Sequence, residues 1–214
     1  MKALLNRWFG ARLFSGSAQY WEQRYLEGGT SGSGSSGALA RFKADFLNGF
    51  VERHAIHSVV EFGCGDGRQL ALARYPAYTG IDVSQAAVAL CRKLFEGQQQ
   101  FRFFTFDDRP GYAGQYDLAL SIDVILHLVE DAVFDTYMRE LFAAASRFVV
   151  VYSSNFDGAQ RGSPHVRHRK FTDWIARNVP AWKSIERIDN PFPHEPARPS
   201  ETSLADFYVF APDE

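Results

Sequence analysis

The sequence predicts an α/β fold in which helices cover both faces of a doubly wound, mostly parallel β-sheet. Short apolar segments that end at turn residues alternate with longer segments whose apolar residues recur at helical spacing. In the segment 147–152, all residues after Arg147 are apolar, as expected for a strand buried on both faces. We predict strands at 58–62, 77–81, 101–106, 116–120, 147–152, 182–188 and 207–210. We predict helices at 38–54, 67–75, 84–96, 131–145 and 172–178.

The turns after the first four predicted strands fall at one edge of such a sheet. Parallel strands joined by right-handed crossovers have their carboxyl ends on the same side. Ligands of open α/β sheets bind at this edge, near the point where the strand order reverses. No clear helix separates the strands at 182–188 and 207–210, so we expect an antiparallel pair at the sheet edge.

The composition fits a soluble protein with one main domain. The chain has 214 residues, 46% hydrophobic and 22% charged, and a net charge of −2. No apolar stretch approaches the roughly 20 residues that cross a bilayer, and the charge gives no attraction to nucleic acid. Cys64 and Cys91 form no CxxC pair, which fits a reducing compartment. We expect a cytoplasmic monomer or homodimer with no nucleic-acid partner, no membrane partner and no metal.

A glycine- and serine-rich stretch, 28–37, separates a short N-terminal segment from the main body. We predict that 1–37 comprises an arm, a cap segment and this stretch, and that 38–214 is the main domain. Sequences of this composition form flexible linkers. A mobile lid over a site is the other interpretation, and the sequence leaves both open.

The sequence VVEFGCGDG leaves the first strand and opens the following crossover. Gly63, Gly65 and Gly67 permit positive φ and a close approach of a ligand to the backbone, and amides at a helix start bind anionic groups. Nicotinamide sites use GxGxxG, and Arg68 stands at the position of that third glycine. Glu61 can interact with the cationic end of a ligand. The turn therefore indicates a cofactor site.

Acidic and aromatic residues follow the next two strands. Asp82 ends the second strand in YTGIDVS, beside Val83, where a carboxylate can accept hydrogen bonds from both hydroxyls of a ribose. The third strand ends in FTFDD, where Phe106 can flank an adenine ring and Asp107 can accept from its amino group. The two aspartates of FTFDD could instead form a solvated turn before Pro110.

These segments together resemble the class I S-adenosylmethionine (SAM) dependent methyltransferases, over roughly 38–152. VVEFGCGDG is similar to that family's glycine motif, YTGIDVS to its acidic-strand motif, FTFDD to its adenine motif and YDLALSIDVILHLVED to its fourth-strand motif. The resemblance implies a seven-stranded sheet with an antiparallel last strand, SAM as the cofactor and S-adenosylhomocysteine (SAH) as the product.

YWEQRY further resembles the N-terminal cap of bacterial small-molecule members, in which an arginine or aromatic side chain closes over the methionine end of SAM. Ser121, in the fourth-strand motif, would border the same end. The candidate cofactor-binding residues are Tyr20, Arg24, Glu61, Gly63, Gly65, Gly67, Asp82, Val83, Phe106, Asp107 and Ser121.

Two candidate catalytic bases, Asp123 and His127, follow the fourth strand. They are four residues apart and would share one face of a helix. Methyl transfer mainly requires proximity and orientation, but a neutral amine or hydroxyl acceptor can also need a base. His127 has the right intrinsic pKa range. It could equally pack under the loop without taking part in the reaction.

A basic segment, SPHVRHRKF, follows the fifth strand. Its candidate acceptor-binding residues are His165, Arg167, His168 and Arg169, which could hold an anionic acceptor through charge-assisted hydrogen bonds. A solvated basic loop is the alternative interpretation.

The sequence favours methyl transfer from SAM to an O or N atom of a small metabolite or sugar derivative. If the basic segment binds this acceptor, the acceptor is anionic. An NAD(P)-dependent oxidoreductase is the main alternative, opposed by GxGxG and by the lack of a Tyr-x-x-x-Lys pair. A SAM-binding relative without catalysis and a protein-methylating relative also remain open, because acceptor recognition lies in the segments that are least readable from sequence.

Overall fold

A computed structural model describes Phe14 and residues 16–108, 114–159 and 163–213. Within them the strands are β1 (Val59–Phe62), β2 (Tyr78–Asp82), β3 (Phe101–Thr105), β4 (Tyr116–Ile122), β5 (Ala145–Ser153), β6 (Gly158–Ala159), β7 (Arg167–His168), β8 (Trp182–Ile188) and β9 (Asp206–Pro212). The α-helices are α1 (Ser17–Leu26), α2 (Gly37–Arg53), α3 (Gln85–Leu94), α4 (Asp131–Ala143) and α5 (Phe171–Asn178). Most of the predicted N-terminal arm lies outside the described residues.

Seven of these strands form one sheet in the order β3-β2-β1-β4-β5-β9-β8. The pairs among β1 to β5 are parallel, whereas β9 runs antiparallel to both of its neighbours. This confirms the predicted fold class and the antiparallel pair at the sheet edge. Because the order reverses between β1 and β4, a crevice opens at the carboxyl ends of these two strands.

Alternate residues of β5 show why both faces of the sheet are covered. Val149 and Val151 pack in the layer of α4 and α5, while Val150 and Tyr152 pack in the layer of α2 and α3. Burying a side chain of this kind contributes about 2 kcal/mol. This apolar segment is therefore buried on both faces, as predicted, and it lies between β4 and β9 in the sheet. Among the described helices, none is long and apolar enough to cross a bilayer.

The helix predicted at 67–75 is wrong, because the segment forms only a 3-10 turn at Leu70–Leu72. Asn48 of α2 explains the difference. Its side-chain amide donates to the carbonyl of Leu72 at 3.0 Å, and its side-chain oxygen accepts from the backbone N–H of Arg74 at 2.7 Å. These bonds engage backbone groups that a helix would need, so the chain extends toward β2 instead.

The predicted start of α3 is confirmed, because the Ser84 hydroxyl accepts from the backbone N–H of Ala87 at 3.0 Å. The predicted cap of α4 is wrong. That helix begins at Asp131, and Glu130 occupies the preceding position without a capping side-chain bond. The Asp131 carboxylate instead binds Arg169. The two-residue strands β6 and β7 form a separate ribbon, too short to leave a periodic pattern in the sequence.

Candidate active site

A cavity of about 640 Å³ opens at the carboxyl ends of β1, β2 and β4. It lies where the strand order reverses, and its volume suits a small-molecule site. The N-terminal segment contributes Gly16, Ser17, Ala18, Gln19, Trp21, Tyr25, Ser31 and Ser35 to its lining. The main domain contributes Glu61, Gly63, Cys64, Gly65, Asp66, Gln69, Asp82, Val83, Phe106, Ile122, Asp123, Val124, His127, Leu128, Glu130, Ala132, Val133, Thr136 and Tyr137.

The glycine turn is shaped by close packing around it. Gly63 and Gly65 have φ angles of 87° and 58°, in the left-handed region where a Cβ costs about 1–2 kcal/mol. A Cβ at Gly63 would collide with Val124 in the loop after β4. A Cβ at Gly65 would collide with Ser31 and lie 3.0 Å from the Tyr25 hydroxyl. The glycine spacing therefore lets two other segments approach the cavity.

Ser31 attaches the serine-rich stretch to the glycine turn. Its hydroxyl donates to Oδ1 of Asp66 at 2.9 Å, and its backbone N–H donates to Oδ2 at 3.1 Å. The hydroxyls of Ser31 and Tyr25 lie 3.0 Å apart, and burial raises the pKa of Tyr25, so the phenol stays neutral. Glu22 makes a second attachment, accepting from the Ser84 hydroxyl at 2.6 Å. Residues 16–37, which we name the cap, thus pack directly on the site.

Asp82 lies at the tip of β2 and is 6% exposed. Its two carboxylate oxygens accept backbone N–H bonds from Gly65 and Ser84, each at 2.9 Å. Each oxygen keeps a further acceptor position. Burial raises the pKa of Asp82 to about 6, although the backbone hydrogen bonds act in the opposite direction. A hydroxyl-bearing ligand would supply the stabilisation that this buried charge lacks.

Glu61 is a second buried carboxyl on the cavity wall. The Tyr78 hydroxyl donates to its Oε2 at 2.6 Å. Burial raises the pKa of Glu61 to about 7, while the Tyr78 hydrogen bond and the charge of Lys43 oppose the rise. A cationic group of a ligand would favour the ionised form. Nearby, the buried Oε1 of Gln69 has no hydrogen-bond partner within the described residues and borders the same space.

The residues predicted beside adenine are only partly brought together. Phe106 and Val83 line the cavity, and the Phe106 ring packs 5.8 Å from Phe62. Asp107 is exposed and lies outside the lining. Asp108 closes the turn after β3 by accepting from the backbone and hydroxyl of Thr105.

Helix α1 turns a different face to the cavity from the one that the sequence predicted. Trp21 and Tyr25 line the cavity, whereas the predicted Tyr20 and Arg24 do not. Arg24 donates to the carbonyl of Thr30 at 2.6 Å and to the Tyr20 hydroxyl at 3.2 Å. Residues four apart share a helix face, so a helix that turns Trp21 toward the cavity also turns Tyr25 toward it.

Asp123 lines the cavity and is held by an ion pair. Lys43, fully buried in α2, places its Nζ 2.6 Å from Oδ2 of Asp123. The Lys43 ammonium also lies 5.3 Å from the centre of the Tyr152 ring. Because the Asp123 carboxylate is already paired with Lys43, it is a poorer proton acceptor than a free carboxylate. Ser121 is buried against the Tyr137 hydroxyl at 2.7 Å, outside the lining.

His127 lines the cavity with a defined tautomer. Its Nδ1 lies 3.0 Å from the carbonyl oxygen of His165. A carbonyl can only accept, so Nδ1 carries the hydrogen and Nε2 keeps its lone pair. The ring meets Trp21 edge-on at 4.9 Å. Burial lowers the pKa of His127 to about 4, so the imidazole is neutral at pH 7.

The basic segment after β5 holds loops together instead of facing the cavity. Arg169 donates to the carbonyls of Leu128 and Val129 and to Asp131 at 2.6 Å. Arg167 donates to Val129 at 3.0 Å and pairs with Asp131 at 3.0 Å.

The two histidines of this segment also face protein groups. His168 bonds the Ser154 hydroxyl at 2.7 Å and stacks on Phe156 at 4.6 Å. His165 stacks on Tyr20 at 4.3 Å. None of the four predicted acceptor-binding residues lines the cavity. The expected placement of the basic segment at the acceptor site is therefore corrected. Arg167 and Arg169 bond backbone carbonyls and Asp131 instead.

Sequence reasoning missed Lys43, Trp21 and Ser31. A signal for Lys43 existed, because it lies on the apolar face of α2 together with Leu39 and Leu47. The roles of Trp21 and Ser31 depend on how the cap packs, which no local pattern encodes.

Comparison with known proteins agrees with this geometry. Residues 59–147 match the family model described as a methyltransferase domain. The N-methyltransferase NodS from Bradyrhizobium japonicum WM9, in complex with SAH, aligns at 16% identity over 94% of this chain and 100% of its own, with a TM-score of 0.72. Magnesium protoporphyrin IX methyltransferase (ChlM) from Synechocystis PCC 6803, with bound SAH, aligns at 14% identity over 100% of both chains, with a TM-score of 0.59.

The small RNA methyltransferase HEN1 aligns at 15% identity over 82% of this chain and 25% of its own, with a TM-score of 0.61. A search of curated proteins found no match. The structural relatives share the fold and differ in the acceptors that their names state.

Proposed function

We propose that this chain, whose residues 59–147 match a methyltransferase domain, is a class I SAM-dependent methyltransferase. It would transfer the methyl group of SAM to an O or N atom of a small molecule bound in the cavity. The observation that supports this most is the meeting of Asp82, Glu61 and the glycine turn with the cap on one enclosed space. Bound SAM supplies a methyl group on a positively charged sulfur. The chain's own residues supply binding, orientation and exclusion of water.

We assign the cofactor end of the cavity to the strand tips. Asp82 would accept from the ribose hydroxyls with the acceptor positions that its backbone bonds leave. Glu61 would face the cationic end of the methionine part, and Phe106 and Val83 would flank the adenine. In the cap, Trp21 and Tyr25 take the enclosing role that the sequence suggested for Tyr20 and Arg24.

At the acceptor end, His127 is the proposed group that takes a proton or a hydrogen bond from the acceptor. Its Nε2 lone pair is available because Nδ1 donates to His165. Asp123 would serve through its pair with Lys43, by holding the loop after β4 in place. We do not keep an anionic acceptor in the proposal, because Arg167 and Arg169 are bonded to Asp131.

A small acceptor is favoured over nucleic acid, because the cavity wall carries carboxylates that would repel phosphates. Cys64 and Cys91 are buried and free, which fits the proposed cytoplasmic location. We keep 1–37 as an arm and cap over a catalytic domain at 38–214, acting as a monomer or homodimer.

Calorimetric titration with SAH and with NAD tests the cofactor assignment. SAH should bind at micromolar concentration, and NAD should not bind. Asp82→Ala should weaken SAH binding by about 1–3 kcal/mol, the scale of hydrogen bonds lost in a buried polar site, and Asp82→Asn should lose less because it keeps one acceptor oxygen. Binding of NAD alone would overturn the proposal. Unchanged SAH affinity in Asp82→Ala would remove Asp82 from the ribose.

A further inference from the structure

We infer that the acceptor end of the cavity, bounded by Trp21, His127 and Glu130, takes an amine and directs the methyl group to nitrogen. The inference rests on the proposed function and names its substrate class. It follows from the charges that line the cavity, from the pairing of the cations around it, and from the hydrogen-bonding state of His127.

The charged side chains that line the cavity are all acidic within the described residues. They are Glu61, Asp66, Asp82, Asp123 and Glu130. The proposed cofactor contacts account for Glu61 and Asp82, and Asp66 holds the cap. Glu130 remains at the acceptor end, where its two oxygens accept from the backbone and hydroxyl of Ser17 at 2.8 and 2.6 Å. Such hydrogen bonds leave the negative charge in place.

The cations beside the cavity are bonded to groups of the protein. Lys43 pairs with Asp123 at 2.6 Å, Arg24 bonds the Thr30 carbonyl, and Arg169 bonds Asp131. An anionic acceptor would therefore have to displace one of these bonds and still face Glu130. A carboxylate or phosphate entering a partly dehydrated space under these conditions loses hydration without gaining a counter-charge.

An amine finds complementary groups in the same space. Trp21 lines this space, and its ring already attracts one cation, since the Arg24 guanidinium lies 5.4 Å from the ring centre. The ring also meets His127 at 4.9 Å. The Nε2 lone pair of His127 accepts an N–H bond, which orients the nitrogen. Because burial lowers the pKa of His127 to about 4, the ring stays neutral and does not repel a cation.

The charge balance of the reaction points the same way. The amine binds as an ammonium and first loses one proton to solvent water. In the neutral form its nitrogen lone pair forms the new N–C bond, and the S–C bond breaks with its electron pair remaining on sulfur. The positive charge thereby passes from sulfur to nitrogen, and the N–H proton stays on the product until it reaches solvent. Carboxylates around the nitrogen stabilise the charge that develops there.

Matched probes that differ mainly in charge test the inference. SAH-saturated, full-length protein is titrated by calorimetry with benzylamine against benzoate, phenethylamine against phenylacetate, and tryptamine against indole-3-acetate. At least one amine should bind with a Kd below roughly 10 mM and about tenfold more tightly than its acid, as expected for a cation beside an aromatic ring and a carboxylate. Glu130→Gln should lower this preference about fivefold, while Glu52→Gln, an exposed carboxylate of α2, should leave it unchanged.

The outcomes separate the two proposals. Equal or tighter binding of the acids, or no amine binding below that concentration, overturns the amine inference when SAH binds normally. Failure of SAH itself to bind overturns the proposed function. If Glu130→Gln disturbs the Ser17 contacts, SAH affinity and thermal unfolding reveal it, and the wild-type ratio of amine to acid affinity still decides the question.

Discussion

The two ends of the cavity are built in different ways. The proposed cofactor end is formed by the tips of three neighbouring strands, where Asp82 ends β2 and Gly63 and Phe106 directly follow β1 and β3. The acceptor end is assembled from α1, which precedes the domain, and from the loop after β4, which bears His127 and Glu130. The first end is fixed by the geometry of a parallel sheet. The second depends on side-chain pairing between segments far apart in sequence.

The largest expected effect is at Gly65, where the glycine turn meets the cap. Gly65→Ala places a Cβ against Ser31 and Tyr25 at a φ of 58°. The turn and the cap must then move apart, so we expect SAH affinity to fall about 100-fold, the scale of about two lost hydrogen bonds in a buried polar site. Calorimetry with SAH measures this.

Gly97→Ala is the matched control. Gly97 has a φ of 88° and nothing within 4 Å of an added Cβ. Gly97→Ala should lose about 1–2 kcal/mol of unfolding free energy in urea and keep SAH affinity, whereas Gly65→Ala should lose at least as much because its Cβ also collides with Ser31. Equal SAH affinities in the two variants would show that the cap and the glycine turn are not coupled through Gly65.

The contrast explains what the sequence could predict. Asp82 and Gly65 could be placed at the cavity from the sequence, because a glycine or an acid at the end of a buried strand has few other uses. Asp107 was predicted beside the adenine, but neither it nor Asp108 lines the cavity, and the two aspartates belong to the exposed turn that was the alternative interpretation. The 3-10 turn before β2 was also missed, since Asn48 contacts it from a different helix.

A second effect, about 3 kcal/mol in the free energy of unfolding, concerns Glu61. Its pKa is raised from 4.5 to about 7 by burial, so between these values the folded chain holds a proton that the unfolded chain has lost. The free energy of unfolding therefore falls as pH rises through this window. Glu61→Gln removes the titration and should be more stable than wild type by roughly 3 kcal/mol at pH 8, with no difference at pH 4.

Urea unfolding without ligand at both pH values measures the Glu61 effect. SAH affinity should fall in the same variant, because the carboxylate for the cationic end of the ligand is gone. Glu52 is an exposed residue of α2, so Glu52→Gln should change neither the free energy of unfolding nor the SAH affinity. A Glu61→Gln protein less stable than wild type at pH 8 would contradict a buried, unfavourably charged carboxyl.

A third variant, with an expected effect of about 1 kcal/mol on the retention of SAH, tests the attachment of the cap. Ser31→Ala removes the hydroxyl that bonds Asp66 and approaches Tyr25. One lost hydrogen bond of this kind corresponds to roughly fivefold faster SAH dissociation, measured by stopped-flow displacement. Ser33→Ala, exposed in the neighbouring turn, should release SAH at the wild-type rate. Equal rates for all three proteins would favour a linker over a lid.

The acceptor end resisted prediction for a physical reason. A run of cations such as 165–170 looks the same in sequence whether it binds a ligand or a carbonyl. Only the structure shows that Arg169 reaches Leu128 and Asp131. In the same way, the orientation of α1 selects Trp21 over Tyr20 through packing against His127.

The smallest expected effect is at Arg167, where the two interpretations of the basic segment differ most clearly. The Arg167 side chain is 41% exposed and shares Asp131 with Arg169. Exposed pairs contribute about 0–1 kcal/mol, so Arg167→Ala should change the free energy of unfolding by less than about 1 kcal/mol.

The same variant should bind benzylamine and benzoate almost as wild type does. The Kd of each for the SAH-loaded protein should stay within about twofold, which corresponds to under 0.5 kcal/mol of binding free energy. A benzoate affinity that drops severalfold while SAH binding holds would return the basic segment to the acceptor site, and with it the anionic acceptor. An unchanged pair of affinities means that Arg167 acts by holding the loop after β4, and that selectivity must be sought in Trp21, His127 and Glu130.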